Sequence, residues 1–188
     1  MEQATWRVRS IGLPTLNRYC KKCKQVAEFE CSEMFRVNAQ RKMLDVWLIY
    51  KCIECGCTWN APILSRVRVS AAQDDDLAGY TENSPDLVAN HAFDFQLLKR
   101  LGAEVNLPPY VIDGEALPPG ENVLLLIENP LNLPLRIESV IRKGLGCSKR
   151  HFLNLVERKV VSCRDGIDLT KAKVGASIEL VVLRQQGL

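Results

Sequence analysis

The 188-residue sequence predicts an α+β protein with a three-stranded ribbon at its N-terminal end. Three observations indicate this fold class. Two C-x-x-C pairs flank alternating apolar segments in residues 1–70, prolines separate short helix and strand patterns in 71–133, and a helix–helix–strand–strand order follows in 134–188. We therefore predict a ribbon module (1–70), a small mixed segment that is an acidic helix-and-strand connecting region (71–133), and a C-terminal α/β module (134–188).

Composition is that of an ordinary soluble globular protein, with 47% hydrophobic and 25% charged residues. No apolar run reaches the length of about 18 residues that a membrane-spanning helix needs. The N-terminus also lacks the basic and apolar regions of a secretory signal. We therefore expect a cytoplasmic protein, in which eight cysteines favour metal binding over disulfides.

Charge is distributed unevenly along the chain. Residues 1–69 carry a formal charge of +6, residues 70–133 carry −9 and residues 134–188 carry +6. Two basic ends could contact a polyanion, and the acidic middle would repel one. The alternative interpretation is that these charges are the solvated faces of unlike domains.

The two cysteine pairs are the most specific motif of the sequence. Each C-x-x-C turn can present two thiolates to one ion, and two such turns complete the tetrahedral four-sulfur shell of structural Zn²⁺. A redox or free-thiol role is the alternative. The 28 residues between the pairs are typical of a zinc ribbon, and the predicted ligands are Cys20, Cys23, Cys52 and Cys55.

Three further residues refine this prediction. Gly56 suits a knuckle turn because glycine adopts positive φ without a Cβ clash. Cys57 competes with Cys55 for the fourth ligand position, although its C-G-C spacing matches a knuckle less well. Cys31 lies in a strand pattern and is predicted to be a packed thiol.

Three antiparallel strands are predicted around the knuckles, after a short strand or arm at residues 6–9. Residues 26–31 alternate apolar and polar, residues 43–50 are apolar and β-rich and should form the central strand, and residues 66–69 alternate again. A ribbon of this size buries too little apolar surface to fold alone. Structural zinc, which contributes about 10–16 kcal/mol in small peptides, would supply the missing stability.

Four segments of this half carry a resemblance to a known family: residues 16–23, 35–39, 44–52 and 58–60. They resemble a bacterial family catalogued only as a domain of unknown function. The resemblance implies no activity.

The middle segment reads as structural. A helix should start at Asn83-Ser84-Pro85-Asp86, run from Pro85 to Leu101 and end at Gly102, with His91 as a core or boundary residue. Residues 110–112 and 122–128 read as strands. No nucleophile with its base and no glycine-rich phosphate loop is present in this segment.

The C-terminal segment predicts two helices followed by two strands. Ile137, Val140, Ile141 and Leu145 form one apolar helical face, and Ser148 is a plausible N-cap for a second helix. The second helix has Phe152, Leu155 and Val156 inward, and strands at 160–163 and 177–182 follow it.

This order is similar to that of the RNA-binding domain named for small-subunit ribosomal protein S-four. The resemblance covers residues 134–182 and rests on Arg136-Ile137-Glu138, Ser148-Lys149, Leu155-Val156, the Val161/Cys163 alternation and Val174-Gly175. It implies an S-four-like fold, RNA binding and an association with the ribosome or tRNA. Lys159 and Ala176 depart from the family pattern, which weakens the inferred RNA-contact geometry more than the inferred fold.

The basic residues of this segment independently favour an anionic partner. Lys149 and Arg150 lie in the first turn of a helix, where each cation opposes the helix dipole by about 0.3–1 kcal/mol. A helix N-terminus binds phosphate readily, so these cations suit phosphate binding better than stability. The alternative is that several only solvate the surface. The predicted RNA-binding residues are Arg136, Lys143, Lys149, Arg150, Arg158, Lys159 and Arg164.

Together these patterns predict a non-catalytic, RNA-associated protein with a structural Zn²⁺. The alternative is a protein–protein interaction adaptor that uses the zinc ribbon. An enzyme is disfavoured, because catalytic zinc usually has His or carboxylate ligands and an open position. Only His91 and His151 are present, and both lie far from the knuckles in sequence.

Overall fold

The computed structural model describes residues 1–40, 42–68, 74–118 and 121–183. The strands are β1 (Glu2–Ser10), β2 (Thr15–Cys20), β3 (Gln25–Gln40), β4 (Met43–Cys52), β5 (Thr58–Arg68), β6 (Glu104–Asn106), β7 (Tyr110–Gly114), β8 (Val123–Glu128), β9 (Val161–Cys163) and β10 (Ser177–Val182). The helices are α1 (Asp74–Glu82), α2 (Pro85–Ala92), α3 (Phe95–Arg100), α4 (Ile137–Leu145) and α5 (Lys149–Glu157).

The chain forms two units, each with its own five-stranded sheet. The first unit combines Met1–Ile11 with Pro109–Leu188. The second unit is the continuous segment Gly12–Pro108. We call them the split unit and the continuous unit.

The continuous unit is an antiparallel sheet with the strand order β5-β4-β3-β2-β6. Alternate side chains of β4 are buried, from Leu44 to Cys52, as expected for a strand with one face in the core. Helices α1 and α2 contact β3, and α3 contacts β6. Tyr80, Val88 and Leu98 from these helices complete the apolar core.

The sheet of the continuous unit is strongly curled. The pairing of β3 with β4 shifts between Cys31 and Phe35, and the pairing of β4 with β5 shifts twice. Such bulges bend a strand and increase its twist. As a result Arg18 on β2 lies over the ring of Trp59 on β5, with Cζ 3.6 Å from the ring centroid, although two strands separate β2 from β5.

The split unit is a mixed sheet with the strand order β7-β1-β8-β10-β9, in which only β1 and β8 are parallel. Helix α4 contacts β7 and α5, and α5 contacts β9. Trp6 of β1 is buried and donates its indole N–H to the carbonyl of Glu115 at 3.0 Å. The N-terminal strand is thus a central part of this core.

The fold-class prediction is wrong for the N-terminal part. The protein is mostly strand, with 44% strand against 22% helix. The predicted strands 26–31 and 43–50 lie inside β3 and β4. The third strand of this part is Thr58–Arg68 rather than the predicted residues 66–69. Val69 lies outside the described residues. Strands β2 and β6, which were not predicted, extend the sheet to five, so it is not a three-stranded ribbon.

The prediction of a C-terminal S-four-like module is also wrong. Helices α4 and α5 and strands β9 and β10 occur in the predicted order, and Ser148 caps α5 by accepting the N–H of His151 at 3.2 Å. However, β10 pairs with β8 on its other edge, and the sheet continues through β1 and β7. Pairing between distant strands, which a local pattern does not encode, makes this segment part of a larger sheet.

The middle segment is partly as predicted. The strand predictions for 110–112 and 122–128 are confirmed as β7 and β8. The predicted single helix is two helices, α2 and α3, because Asp94 interrupts it and accepts the N–H of Leu97 at 2.9 Å as the N-cap of α3. No described helix has the length and apolar content needed to cross a bilayer.

Candidate metal centre

The four predicted ligands lie on two turns at one end of the continuous unit's sheet. The first turn joins β2, which ends at Cys20, to β3, and the second joins β4, which ends at Cys52, to β5. The N–H of Ile53 donates to the carbonyl of Glu28 at 3.0 Å and so ties the second turn to β3. The antiparallel order of these strands therefore places both C-x-x-C turns at the same end.

Both turns have the same hydrogen-bonding pattern. The N–H of Lys24 donates to the carbonyl of Cys20 at 2.8 Å, and the N–H of Gly56 donates to the carbonyl of Cys52 at 2.8 Å. Lys24 and Gly56 both adopt left-handed backbone conformations, with φ of 57° and 69°. Glycine takes this conformation without steric cost, which confirms the role predicted for Gly56.

The thiols of Cys20, Cys23, Cys52 and Cys55 form one cluster. Their sulfur atoms all lie within 4.8 Å of one another. Sγ of Cys20 lies 3.6 Å from Sγ of Cys55, and Sγ of Cys23 lies 3.9 Å from Sγ of Cys52. A tetrahedral ion with Zn–S bonds of about 2.3 Å requires S···S distances of about 3.8 Å. The cluster, in which none of the cysteines forms a disulfide, is therefore compatible with a metal site.

A fifth thiol adjoins this set. Sγ of Cys57 lies 3.2 Å from Sγ of Cys20, and the carbonyl of Cys57 accepts the N–H of Cys52 at 2.9 Å. The C-x-x-C turn geometry places Cys55 in the four-thiol set, and Cys57 contacts one member of that set, Cys20. Cys31 lies outside the four-thiol set, and burial raises its pKa to about 11, as expected for a packed thiol.

Hydrogen bonds within the cluster divide the thiols into two kinds. The N–H of Cys23, 3.4 Å from Sγ of Cys20, is the main cause that lowers the pKa of Cys20 to about 6. The N–H of Cys57 similarly lowers the pKa of Cys55. Contact with the sulfur of Cys55 raises the pKa of Cys23, and contact with the sulfur of Cys20 raises the pKa of Cys57 to about 12. Cys20 and Cys55 are thus the most readily formed thiolates, the form that binds metals.

Sequence reasoning missed a partly buried cation on β2, the strand that ends at Cys20. The guanidinium of Arg18 lies over the ring of Trp59, and its Cζ is 6.0 Å from the ring centroid of Phe29. Its Nη1 is buried without a hydrogen-bond partner among the described residues. Desolvation lowers the pKa of Arg18. The period of two along a strand was the available signal, since Arg18 lies two residues before Cys20 and Trp59 lies two residues after Cys57.

The predicted RNA-binding residues all belong to the split unit and are all exposed. Two of them have side-chain partners: Nζ of Lys143 lies 4.5 Å from the ring centroid of Tyr110, and Nζ of Lys149 lies 3.8 Å from the buried carboxylate of Glu138. Arg150 lines a shallow groove along α5 with His151 and Asn154. The remaining predicted cations with no ion pair among the described residues are Arg136, Arg158, Lys159 and Arg164.

These cations do not converge on one point. Helix α5 has nine residues and is therefore about 13 Å long. Lys149 and Arg150 lie at its N-terminal end, whereas Arg158 and Lys159 follow its C-terminal end. The arrangement is that of an extended basic surface and not of a single phosphate pocket.

The fold and the cluster define a two-sheet protein with a thiol-lined candidate metal centre. The family model described as "Protein of unknown function (DUF1062)" matches residues 37–167, well over half of the chain, so the chain belongs to this family. The resemblance to a family of unknown function is thereby confirmed. The matched range includes the second C-x-x-C turn and begins after the first one. No curated protein and no solved structure matches the chain.

Proposed function

We propose that this protein is a non-catalytic RNA-binding protein in which a structural zinc ion holds two turns of a β-sheet together. The four-thiol cluster is the observation that carries the metal part of the proposal. The basic surface on α4, α5 and the segment after them supports the RNA part.

Zinc is the ion that the donor set favours. A tetrahedral four-sulfur site takes zinc or iron, and a closed set of thiolates is typical of structural zinc. Metal analysis of protein purified under reducing conditions should give one zinc per chain. Cys23→Ser and Cys52→Ser should lose the ion, whereas Cys31→Ser, which changes a thiol outside the four-thiol set, should keep it. A visible absorption band from iron–thiolate bonds, with iron in place of zinc, would contradict the assignment.

The same donor set supports a non-catalytic role. Four thiolates fill a tetrahedral shell and leave no position for substrate or water. Among the described residues, the cluster contains no histidine or carboxylate. His91 instead lies 2.9 Å from the hydroxyl of Tyr80, and His151 is exposed on α5. The metal is therefore proposed to stabilise the fold and not to react.

RNA binding is supported by a local excess of positive charge. Residues 136–164 contain eight Lys or Arg against two Asp or Glu. One of these two acids, Glu138, lies 3.2 Å from Arg142 and 3.8 Å from Lys149, so it neutralises part of the charge near the start of α5. The exposed cations without such partners remain available to a nucleic-acid backbone, because its phosphates are repeated along its length and can meet cations that are spread over a surface.

The binding assay compares two charge-reversed variants with the same change in net charge. Arg150→Glu/Arg158→Glu alters both ends of α5, and Lys99→Glu/Arg100→Glu alters exposed cations at the end of α3 in the continuous unit. Fluorescence anisotropy with an RNA hairpin, at NaCl from low to high concentration, gives affinity and salt slope. The first variant should bind at least about tenfold more weakly, with a slope smaller by about 0.7 per lost contact.

The control and the competing nucleic acid make the assay decisive. The α3 variant should bind like the wild type, and a DNA duplex of the same sequence should bind more weakly than the RNA. Equal losses in both variants, or no binding at low salt, would refute RNA binding through α5.

An adaptor role is the second candidate because apolar side chains are exposed beside the turns. Tyr19, Val26 and Ile53 are 57%, 67% and 54% exposed, and Tyr19 pairs with Val26 across β2 and β3. A photo-crosslinking residue at position 19 that captures one protein in RNase-treated cells, with no capture from position 167 in the split unit, would favour the adaptor.

A further inference from the structure

The cluster holds one thiol more than a tetrahedral ion can bind. The two matching C-x-x-C turns account for four thiols, which leaves Cys57 as the surplus one. Its sulfur nevertheless lies 3.2 Å from Sγ of Cys20, closer than the 3.6 Å between Sγ of Cys20 and Sγ of Cys55. This distance is shorter than the separation of about 3.8 Å between ligands of one zinc ion. Cys57 is therefore held against a ligand without being needed as one.

The two residues of this pair differ in their exposure to solvent. Cys20 is 1% exposed, whereas Cys57 is partly exposed and follows Gly56 at the start of β5. A small oxidant in solution therefore reaches Cys57 more easily than Cys20. Both sulfurs lie at the ends of short side chains on neighbouring turns, so about 1 Å of movement brings them to the S–S bond length of about 2.05 Å.

We propose that Cys57 is an oxidation site through which peroxide releases the metal ion. The sulfur of Cys57 attacks one oxygen of hydrogen peroxide, the thiol proton passes to the departing oxygen as the O–O bond breaks, and a sulfenic acid and water form. The Cys20 thiolate then attacks the sulfenic sulfur, the S–O bond breaks, hydroxide leaves, and a Cys20–Cys57 disulfide forms. Two thiols lose two electrons in total, and with two protons the peroxide becomes two waters.

Loss of Cys20 from the ligand set is the consequence of this reaction. Only the thiolates of Cys23, Cys52 and Cys55 then remain for the ion, and three thiolates hold zinc less tightly than a closed set of four. A thiol reductant reverses the disulfide and restores the site. This inference rests on the proposed metal site, but the disulfide can be observed independently of the metal.

The test is a time course of zinc-loaded protein in hydrogen peroxide, with released zinc measured by a colorimetric chelator and disulfides mapped by mass spectrometry. In the wild type, zinc release should coincide with the appearance of the Cys20–Cys57 disulfide and should be reversed by reductant and added zinc. Cys57→Ser should bind zinc normally and release it about tenfold more slowly. Cys31→Ser, the matched control on β3, should behave like the wild type.

Each other outcome overturns the inference in a distinguishable way. Zinc release from Cys57→Ser at the wild-type rate, or a different first disulfide, would refute the role of Cys57. Loss of zinc from Cys57→Ser before peroxide is added would show that Cys57 is a ligand. If the wild type contains no zinc, the proposed metal site fails, and disulfide mapping on the metal-free protein still decides which thiols peroxide joins.

Discussion

At the scale of single residues, the guanidinium of Arg18 is partly buried on β2, the strand that ends at Cys20. Its guanidinium lies against Trp59, and one of its N–H groups is buried without a hydrogen-bond partner among the described residues. Partial burial of a cation is costly unless a negative charge compensates it. Four thiolates around a divalent ion carry a net charge of −2, which would provide such compensation.

A double-mutant cycle should measure the stacking of Arg18 on Trp59. Because Cζ lies only 3.6 Å from the ring centroid, we expect Arg18→Met and Trp59→Leu to be coupled by about 0.5–2 kcal/mol in the free energy of unfolding. The matched control is the pair Arg36 and Trp47 in the same sheet. Arg36 is exposed and its Cζ lies 5.9 Å from the ring centroid of Trp47, so this pair should show little coupling. Equal coupling in both pairs, measured by urea unfolding of the metal-loaded protein, would contradict this.

Gly144 is a residue whose role depends on a distant strand. It lies inside α4, where alanine normally stabilises a helix by about 1 kcal/mol. A Cβ at this position would overlap the ring of Trp6 in β1. We therefore expect Gly144→Ala to lower the free energy of unfolding by about 1–3 kcal/mol.

Gly175→Ala is the matched control for Gly144→Ala. A Cβ at Gly175 meets no atom within 4 Å, so this change should alter stability by less than about 0.5 kcal/mol. Stabilisation by Gly144→Ala in urea unfolding would show that the Trp6 ring does not restrict α4.

At the scale of elements, the metal is expected to stabilise the two turns more than the sheet. A small ribbon needs its ion to fold, but this sheet has a core of its own that includes Leu44, Val46, Leu48 and residues of three helices. The thiol cluster lies at the ends of β2 and β4, at one edge of that core. Metal removal should therefore act locally.

Hydrogen exchange with and without chelator tests this expectation. With the metal removed under reducing conditions, the N–H groups of Lys24 and Gly56 should exchange much faster, because the turns lose the ion that holds them together. The N–H groups of residues 44–48 in β4 should stay protected. Loss of protection throughout the continuous unit would show that the metal is required for the whole fold.

At the scale of the whole molecule, the continuous unit is inserted between two parts of the split unit. The N–H of Ile11 donates to the carbonyl of Pro109 at 2.7 Å, so the chain leaves and re-enters the split unit at adjacent points. The first part contributes β1, which lies between β7 and β8 in the sheet. The split unit therefore needs both ends of the chain.

Fragments of the chain should reflect this organisation. We expect residues 12–108 alone to fold and to bind one metal ion, since they contain all five clustered thiols and their own core. Residues 1–11 joined to 109–188 by a short Gly-Ser linker should also fold, whereas residues 134–188 alone should not, because β10 loses its partner β8. Circular dichroism and metal analysis of the three fragments check this, and a folded 134–188 fragment would contradict it.

The sequence by itself determined the local features of this protein. These features depend on contacts between residues close in sequence. They are the C-x-x-C turns, the cap at Ser148, the strands that begin at Tyr110 and Val123, and the helices before and after Ser148. Hydrogen bonds and side-chain periodicity act over a few residues, so spacing alone reveals them.

The tertiary structure alone decided which distant segments meet. Four contacts join residues that are far apart along the chain. They are the parallel pairing of β1 with β8, the pairing of β10 with β8, the stacking of Arg18 on Trp59 and the contact of Cys57 with Cys20. Strand edges can pair with many partners, and the choice depends on the core that the whole chain buries. For this reason the sequence predicted the four thiols of the candidate metal centre and named Cys57 as a competing ligand, but only the fold shows that Cys57 contacts Cys20.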